Sequence, residues 1–482
     1  MKKLNELYPE VDSSALVKSI KINSKEIEKD DLFICTMGVT ADRHDFIDDA
    51  IEKGASAIIV SKDVGKKNVP VIKVPNTNRE LPFLCQKFYD YPDKALKMIG
   101  VTGTDGKTSV TSIIQCLIGS DLCGYIGTNG RSCAKFTGDN PNTTPDADKL
   151  YAYLKEFVDY GCKYAATEAS SEAFFRGRLQ SMEYDISVYT NITSEHLNIH
   201  GSFENYMESK LMLFKQTKSD GFCILNKDDQ YFERVKESCN GKILTYGKDS
   251  DCDLQIVDFT VSPNKTDIIF KYKDKEYNII SPVLGDFNVY NLAGAMLACL
   301  ALDFSIEKLI EKLDTLKVSG RLEMLNTNDD FYVMVDYAHT PNGILKLLNF
   351  VHTLDINRSI VVIGQAGERD YLKRPQVGEV VIKNCTHAIF TSEDPRSEDP
   401  YDICQDMIKT IKDSYDNYEI VVDRREAIEK AINMAGEKDM VLILGKGSET
   451  YMKLKNETIY FNDIEEAYNV LASRKIKEGT MN

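Results

Sequence analysis

The sequence predicts an α/β protein of three domains, and three observations support this class. First, 482 residues exceed what one hydrophobic core organises, since single domains usually hold roughly 50–200 residues. Second, short apolar runs alternate with segments of helical periodicity, which is typical of parallel sheets covered by helices. Third, the pattern of predicted strands and helices changes twice along the chain, and we place the domains at residues 1–95, 96–319 and 320–482.

The first segment reads as a small mixed α/β domain. Asp31–Cys35 and Ala57–Val60 are short apolar runs that predict strands. Asp45–Lys53 predicts a helix, closed by Gly54. The turn residues at 91–93 predict a linker to the next domain.

The second segment predicts a mostly parallel sheet with helices between its strands. The stretch Asp251–Ser281 alternates with period two and predicts an antiparallel edge or hairpin. Four other strands and three helices are predicted at Met98–Thr102, Tyr164–Thr167, Tyr184–Thr190, Gly221–Asn226, Ser109–Leu117, Tyr206–Phe214 and Asn288–Leu302.

The third segment predicts a Rossmann-like domain, because apolar strands again alternate with helices. The predicted strands and helices are Val333–Asp336, Ser359–Gly364, His387–Thr391, Met440–Gly445, Pro341–Val351 and Arg425–Ala435. The last residues, Lys475–Asn482, predict a loose tail.

Composition excludes several classes of protein. A net charge of −16 argues against a general nucleic-acid binder, which needs a basic surface. The N-terminus lacks the apolar stretch of a secretory signal, and no apolar run is long enough to span a membrane, so we expect a cytoplasmic protein. The twelve cysteines form no C-x-x-C pair, which predicts reduced thiols in packed interiors.

The strongest local signal is a phosphate-binding loop at residues 102–108, TGTDGKT, between a predicted strand and a predicted helix. Glycines let backbone N–H groups surround phosphate oxygens, and the helix N-terminus adds positive potential. Lys107 can bridge phosphates, and the Thr108 hydroxyl can hold Mg²⁺. The loop has the short form G-x-x-G-K-T, since Val101 stands where the longer motif has glycine.

Three other residues are ambiguous when each is taken alone. Glu168 follows a predicted strand and can supply an oxygen ligand to Mg²⁺, although an isolated carboxylate there is more often a surface or capping group. His196 follows another strand and is weak evidence for a ligand. Lys210 lies on a predicted helix, where a lysine is ordinarily solvated.

Taken together and in order, these pieces resemble the Mur ligase family over nearly the whole chain. The matching motifs lie at residues 103–108, 142–145, 168–171, 190–196, 208–210, 285–291, 320–323, 336–341, 367–375, 394–396 and 445–447.

The resemblance implies a UDP-binding first domain, a central ATP-binding domain of the P-loop type and a C-terminal domain that binds an amino acid. It implies Lys107, Lys210, His196 and Glu168 as catalytic residues. Thr108, Glu168 and His196 would hold Mg²⁺, together with Lys210 as an N-carboxylated carbamate. ATP would contact Gly103, Thr104, Asp105, Gly106, Lys107, Thr108, Ser109, Asn291, Arg321 and Asp336. The UDP-muramoyl peptide would contact Ser24, Thr143, Thr144, Ser170 and Arg178, and the amino acid would contact Arg369, Asp394, Arg396, Gly445 and Glu449.

The activity implied is ATP-dependent addition of a diamino acid to UDP-N-acetylmuramoyl-L-alanyl-D-glutamate through an acyl phosphate, by a monomer. Five sites depart from the usual family pattern: Asp105, Glu172, Ser448, the run 23–25 and the pair Glu393–Asp394. Arg396 favours diaminopimelate, whose distal carboxylate it can pair with, whereas the negative charge of Asp394 suits lysine. The alternatives are a related ligase with another acceptor, such as a folylpolyglutamate synthase, and a nucleotide-binding regulator without catalysis.

Overall fold

A computed structural model describes residues 1–38, 41–140, 142–193, 195–263, 265–327 and 330–479. The chain divides into two compact units. Unit 1 comprises Met1–Ile256, Lys271–Lys275 and Tyr290–Glu311, and unit 2 comprises Val257–Phe270, Glu276–Val289 and Lys312–Asn482. The predicted first segment and most of the second therefore share unit 1, and the boundaries near residues 95 and 319 stay predictions.

The first 95 residues form a four-stranded parallel sheet with short helices. Their elements are β1 (Lys2–Lys3), α1 (Leu4–Leu7), β2 (Leu16–Val17), β3 (Ile20–Lys21), β4 (Leu32–Ile34), α2 (Ile47–Glu52), β5 (Ala57–Val60), β6 (Val71–Lys73), α3 (Thr77–Phe88) and α4 (Pro92–Ala95). The sheet has the order β3-β4-β5-β6. Both β4 and β5 are buried throughout, as apolar strands of a covered parallel sheet should be.

Residues 96–256 form the main sheet of unit 1. Their elements are β7 (Lys97–Thr102), α5 (Lys107–Ile118), β8 (Cys123–Gly127), β9 (Gly130–Cys133), β10 (Phe136–Gly138), α6 (Ala147–Asp159), β11 (Tyr164–Glu168), α7 (Ser171–Phe175), β12 (Tyr184–Tyr189), α8 (Leu197–His200), α9 (Phe203–Lys215), β13 (Thr217–Asn226), α10 (Phe232–Glu237) and β14 (Lys242–Gly247). Their order is β10-β9-β8-β11-β7-β12-β13-β14. The strands β8, β11, β7, β12, β13 and β14 are parallel to one another, whereas β9 and β10 pair antiparallel at the edge. The mostly parallel central sheet that the sequence predicted is confirmed.

The later residues contain the remaining elements, and the strands between residues 323 and 444 form a second, mostly parallel sheet in unit 2. The elements are β15 (Leu254–Ser262), β16 (Lys265–Tyr272), β17 (Lys275–Ser281), α11 (Asp286–Leu300), α12 (Ile306–Glu311), β18 (Glu323–Leu325), β19 (Tyr332–Asp336), α13 (Pro341–Val351), β20 (Ser359–Ile363), α14 (Arg374–Lys383), β21 (His387–Phe390), α15 (Pro400–Ile408), β22 (Tyr418–Ile420), α16 (Arg424–Met434), β23 (Met440–Leu444), β24 (Tyr451–Lys453), β25 (Thr458–Tyr460) and α17 (Asp463–Gly479). The sheet has the order β18-β19-β23-β20-β21-β22.

Side-chain burial explains why these elements stay in place. In unit 1, apolar side chains of α3 such as Leu84 share one core with Leu154 of α6 and Met98 of β7. In unit 2, separate apolar clusters cover the sheet, one including α13, α14 and α15 and the other α16 and α17. No described helix is long and apolar enough to cross a membrane.

One prediction about the chain end was wrong. Residues 475–479 continue α17 instead of forming a loose tail, and residues 480–482 lie outside the described part. The helix begins with three acidic residues in its first turn, which stabilise a helix N-terminus, and its buried residues Ala467 and Leu471 are four apart on one face. The packed first turns therefore stabilise the helix, which continues past its last apolar residues.

Candidate functional site

The predicted phosphate loop lies between the end of β7 and the start of α5. Gly106 precedes the helix with a left-handed φ of +85°, and a Cβ there would overlap the amide oxygen of Asn291. Gly103 is equally constrained, since a Cβ would overlap the Thr190 hydroxyl. Lys107 Nζ folds back over the loop and donates to the carbonyls of Gly103 (3.0 Å) and Thr104 (2.8 Å). The loop thus presents a lysine and the N-terminus of a twelve-residue helix at one point.

Thr108 and Glu168 meet beside this loop. Glu168 ends β11, which pairs with β7, so the neighbouring parallel strands bring the carboxylate to the start of α5. Thr108 Oγ1 donates to Glu168 Oε2 at 3.0 Å. Glu168 also accepts bonds from Tyr125 OH (2.9 Å) and Thr128 N (2.8 Å), and only 1% of its surface is exposed. A hydroxyl and a carboxylate oxygen are ligands that Mg²⁺ prefers, so this donor pair fits the ion.

Lys210 reaches the same loop from α9. Its Nζ donates to Gly103 O at 2.6 Å and lies 4.6 Å from the centre of the Tyr206 ring. Burial, and secondarily the charge of Lys107, holds the pKa of Lys210 well below its ordinary value. A lowered pKa favours the neutral amine of a buried lysine, which is the form that reacts with CO₂ to give a carbamate.

His196 has its ring centre 6.3 Å from that of the Tyr206 ring, which Lys210 also contacts. Its backbone has a left-handed φ of +55°, about half of its side chain is exposed (51%), and its ring faces Glu195 with Nε2 3.6 Å from Oε2. Among the described residues, no hydrogen bond joins His196 to Thr108 or Glu168, and no three His, Cys, Asp or Glu side chains form a metal-binding group. The structure thus joins Thr108 to Glu168 and Lys210 to the phosphate loop, and a shared metal site for these residues and His196 stays a prediction.

His200, by contrast, is buried near Ser171 on α7. Its Nε2 lies 3.1 Å from the Ser171 hydroxyl, and burial lowers its pKa. It ends the short helix α8. No local signal distinguished the two histidines, because both follow the same strand within a few residues.

The predicted acceptor-binding residues of unit 1 adjoin Glu168. Thr144 Oγ1 donates to Glu168 O at 2.6 Å and lies 3.0 Å from Ser170 Oγ. Arg178 Nη1 donates to Thr144 O at 3.0 Å, and the Thr143 hydroxyl lies 3.1 Å from that of Thr128. A single hydrogen-bonded group therefore links these residues to the metal-ligand pair.

A cleft of about 620 Å³ opens next to this group, between β3–α3 and α7. Four arginines line it, Arg43, Arg79, Arg176 and Arg178, together with only two carboxylates, Asp146 and Glu172. The excess of positive charge suits an anionic ligand such as a nucleotide diphosphate.

Sequence analysis missed three of these arginines, because nothing local separates them from surface arginines. Ser24 is buried elsewhere, at the start of a short 3₁₀ helix capped by Asn23, whose side-chain oxygen accepts a bond from Lys25 N at 3.1 Å. Glu172 pairs with Arg176 at 2.6 Å, which accounts for one of the departures from the family pattern.

In unit 2, a lysine that sequence analysis did not assign organises the predicted amino-acid residues. Lys446 is fully buried, and its Nζ lies 3.0 Å from both Asp394 Oδ1 and Glu449 Oε2. Asp394 also accepts a bond from Lys453 N at 3.2 Å. Neighbouring Glu393 has a buried carboxylate oxygen close to Gly445, and burial raises its pKa to about 7.

The two predicted arginines of this site stand on separate loops. Arg369 is exposed after β20. Arg396 follows β21 with a left-handed φ of +55°, donates its backbone N–H to Lys453 O at 2.9 Å, and lines a groove of about 500 Å³ with residues 453–458. Both loops therefore leave the carboxyl ends of neighbouring parallel strands, where α/β sheets bind ligands.

Arg321 and Asp336, predicted near the nucleotide, are also neighbours in unit 2. Asp336 ends β19 and accepts bonds from Leu322 N (2.8 Å) and Ala338 N (2.7 Å). Arg321 lies 4.6 Å above the Tyr337 ring. Burial raises the pKa of Asp336, and Arg321 opposes that rise.

Comparison with known proteins agrees with this organisation. Three domain-family descriptions match: "Mur ligase family, catalytic domain" at residues 16–97, "Mur ligase middle domain" at 101–299 and "Mur ligase, glutamate ligase domain" at 320–447. The chain is 35% identical to a UDP-N-acetylmuramoyl-L-alanyl-D-glutamate–2,6-diaminopimelate ligase of Clostridium perfringens, covering 95% of this chain and 96% of the relative. It is 37% identical to ligase 1 of the same description from Clostridium acetobutylicum, covering 97% and 96%.

A solved structure with that description is also similar. It is 29% identical, has a TM-score of 0.69, and the alignment covers 98% of this chain and all of the other.

Proposed function

Because the chain belongs to the Mur ligase family, we propose that it is an ATP-dependent ligase that adds meso-diaminopimelate to UDP-N-acetylmuramoyl-L-alanyl-D-glutamate. The observation that carries the proposal is the assembly around Gly103, where Lys107 and Lys210 both donate to one carbonyl. The Thr108–Glu168 pair lies at the start of the same helix. Unit 1 thus holds the parts that a phosphoryl transfer to a carboxylate requires.

The site residues of unit 1 would act in this reaction as follows. The γ-carboxylate of D-glutamate attacks the γ-phosphate of ATP and forms an acyl phosphate plus ADP. Lys107, at the helix N-terminus, binds phosphate oxygens and reduces the repulsion between the two anions. Mg²⁺ held by Thr108 and Glu168 would neutralise further phosphate charge. Thr144, Ser170 and Arg178 would hold the peptide beside them.

Lys210 fits the carbamate proposed for it. A charged ammonium beside Lys107 would repel a metal ion, but a carbamate is an anion that can bind a second Mg²⁺. The lowered pKa makes the neutral amine available for CO₂ addition. Carbon-13 NMR after incubation with ¹³C-bicarbonate tests this directly: the wild type should show a carbamate signal that Lys210→Arg lacks, and a signal kept in the variant would contradict the assignment.

In the second step the amine of the amino acid attacks the acyl carbon and phosphate leaves. The contacts of Asp394 bear on the two amino acids that the sequence left open. Asp394 accepts a bond from Lys446, which it shares with Glu449, at 3.0 Å, so the carboxylate is already engaged within the protein and is less suited to bind the ammonium of lysine. Arg396 then provides the distinguishing charge and pairs with the distal carboxylate that diaminopimelate has and lysine lacks.

The decisive assay combines purified protein, ATP, Mg²⁺, UDP-N-acetylmuramoyl-L-alanyl-D-glutamate and a panel of amino acids, with product masses as the readout. We expect phosphate release only when both the dipeptide and meso-diaminopimelate are present, and a product mass equal to their sum less one water. Turnover with a folate substrate instead would indicate a related ligase. Phosphate release that needs no acceptor would indicate a simple nucleotide hydrolase.

A further inference from the structure

Two loops of unit 2 carry the residues proposed to hold the amino acid. Loop A, residues 364–373, follows β20 and carries Arg369. Loop B, residues 391–399, follows β21 and carries Asp394 and Arg396. Because β20 and β21 are parallel neighbours, both loops emerge at the same edge of the sheet. Their relative position sets the distance between the two arginines, and loops of this kind need contacts to keep it constant.

The loops touch through their backbones. Gly367 N donates to Asp394 O at 2.9 Å, and a Cβ on Gly367 would overlap the Pro395 carbonyl oxygen. Glu368 Oε1 accepts bonds from Ser397 N (3.3 Å) and Ser397 Oγ (2.5 Å). Glu368 itself has a left-handed φ of +55°, a strained conformation for a residue with a side chain. Further contacts must therefore hold this arrangement.

Arg374 supplies those contacts from the first turn of α14. Its side chain is only 3% exposed. Nη1 donates to Glu398 Oε2 at 2.8 Å and to Asp406 Oδ2 at 3.0 Å, while Nη2 donates to Glu398 Oε1 at 3.0 Å and to Ala366 O at 3.3 Å. One side chain thus binds loop A, loop B and α15 at once. Glu398 continues the connection, because its Oε1 also accepts the backbone N–H of Glu368.

The two helices that carry Arg374 and Asp406, α14 and α15, pack closely together. Gly378 lies one turn after Arg374 on α14, and a Cβ there would overlap the carbonyl oxygen of Met407 on α15. The two helices therefore pack with their backbones in contact, which fixes Asp406 relative to Arg374. Movement of either loop must break charge-assisted hydrogen bonds anchored on this helix pair.

We propose that Arg374 is a positioning residue for the amino-acid site, which with Glu398 sets the spacing of the loops that carry Arg369 and Arg396. The inference rests on the proposed function, because it assumes that these loops bind the amino acid. Arg374 does not contact the substrate. A lysine could not replace it, since a single ammonium cannot make the paired contacts to Glu398 and also reach Ala366 O.

The chain offers a control at the opposite edge of the same sheet, an arginine that is more exposed than Arg374 (47% against 3% of the side chain). Arg358 precedes β20 and contacts Asp439, which precedes β23, with Nε 3.2 Å from Oδ1 and Nη2 2.5 Å from Oδ2. It is also an arginine–carboxylate pair between neighbouring strands, but it lies at their amino ends, away from both loops. Arg358→Lys therefore reports the general cost of weakening such a pair.

Steady-state kinetics with meso-diaminopimelate separate a positioning role from a structural one. We expect Arg374→Lys to raise KM for the amino acid by about tenfold or more, the effect of one lost charge-assisted contact. KM for ATP and for the UDP-dipeptide should change by less than about twofold, and Arg358→Lys should leave all three constants near wild type. An unchanged KM for the amino acid, or three constants rising together, would overturn the proposal.

A second variant and a second measurement cover the case in which Arg374→Lys folds poorly. Glu398→Gln keeps the shape of the side chain but removes its charge, and this side chain is partly exposed (36%), so the fold should tolerate the change. Hydrogen–deuterium exchange should quicken in residues 366–370 and 394–398 of Glu398→Gln and not in Arg358→Lys. Unchanged exchange would overturn the proposal that Arg374 and Glu398 hold the two loops in place.

The exchange measurement needs no substrate. A wild type that makes no product with any amino acid would refute the proposed function, and the exchange data would still decide whether Arg374 and Glu398 hold the loops.

Discussion

Changing Asp394 to asparagine tests how the amino acid is selected. In the structure Asp394 Oδ1 accepts from Lys446 Nζ at 3.0 Å and from Lys453 N at 3.2 Å, so its charge serves an internal pair. If this is its role, the variant should lose stability and keep its choice of substrate. If Asp394 instead binds a substrate ammonium, the variant should keep stability better than it keeps activity towards lysine.

The stability loss follows from the contacts that remain. Removing one partner of a buried ion pair costs about 3–5 kcal/mol when the other charge is left alone. Here Lys446 keeps Glu449 Oε2 at 3.0 Å, and the asparagine oxygen can still accept from Lys453 N. We therefore expect a smaller loss, about 1–2 kcal/mol in the free energy of unfolding, measured with urea.

The substrate readout is the ratio of kcat/KM for meso-diaminopimelate to that for L-lysine. Asp394→Asn should change this ratio by less than about threefold, since no substrate charge is affected. Arg396→Ala is the matched comparison and should lower kcat/KM for diaminopimelate by about 10- to 150-fold, the value of a charge-assisted hydrogen bond. A tenfold or larger shift of the ratio in Asp394→Asn would refute the assignment of its charge to Lys446.

Three further predictions concern both units. Lys107→Ala should lower ATP turnover by at least about a hundredfold, because one charged donor to the phosphates is lost; near-normal phosphate release would contradict its role. Asp463→Asn should cost about 3–5 kcal/mol in urea unfolding, since it leaves the fully buried Arg424 without its hydrogen-bonded carboxylate, whereas Glu466→Gln in a partly exposed pair should cost less than about 1 kcal/mol. Equal losses would show that burial is not the cause. Burial raises the pKa of Glu393 from 4.5 to about 7, so the folded protein holds a proton that the unfolded chain releases. Raising the pH from about 5 to about 8 should therefore lower the free energy of unfolding, by at most about 3 kcal/mol, and Glu393→Gln should show a smaller fall. An identical pH dependence in the variant would rule this group out.

Local pattern was enough for most of the fold. The run at 97–102 forms a strand and the following residues a helix because apolar periodicity and the glycine turn act over a few residues. The same logic located β19, β20, β21 and β23 of unit 2, but it did not predict the three-residue strands β18, β22, β24 and β25. It failed for residues 475–479, where the sequence carries charge but the packed first turns of α17 extend the helix.

The site was only partly predictable from local pattern. Thr108 and Glu168 are sixty positions apart, and each alone has an ordinary structural explanation; only the pairing of β7 with β11 makes them neighbours. For His196 the motif implied a ligand, and its contacts in the structure are to Glu195 and the Tyr206 ring. Family resemblance supplied the expectation in both cases, and the metal-binding roles stay predictions.

Periodicity and glycine turns act over short segments, so they specify the α/β class and the phosphate loop, and the order of motifs along the chain indicates the kind of chemistry. Which charges are paired became visible in the folded chain alone. Lys446 pairs with Asp394, and Arg374 joins two loops, because ion pairs depend on distances between residues far apart in the chain, which no local pattern encodes.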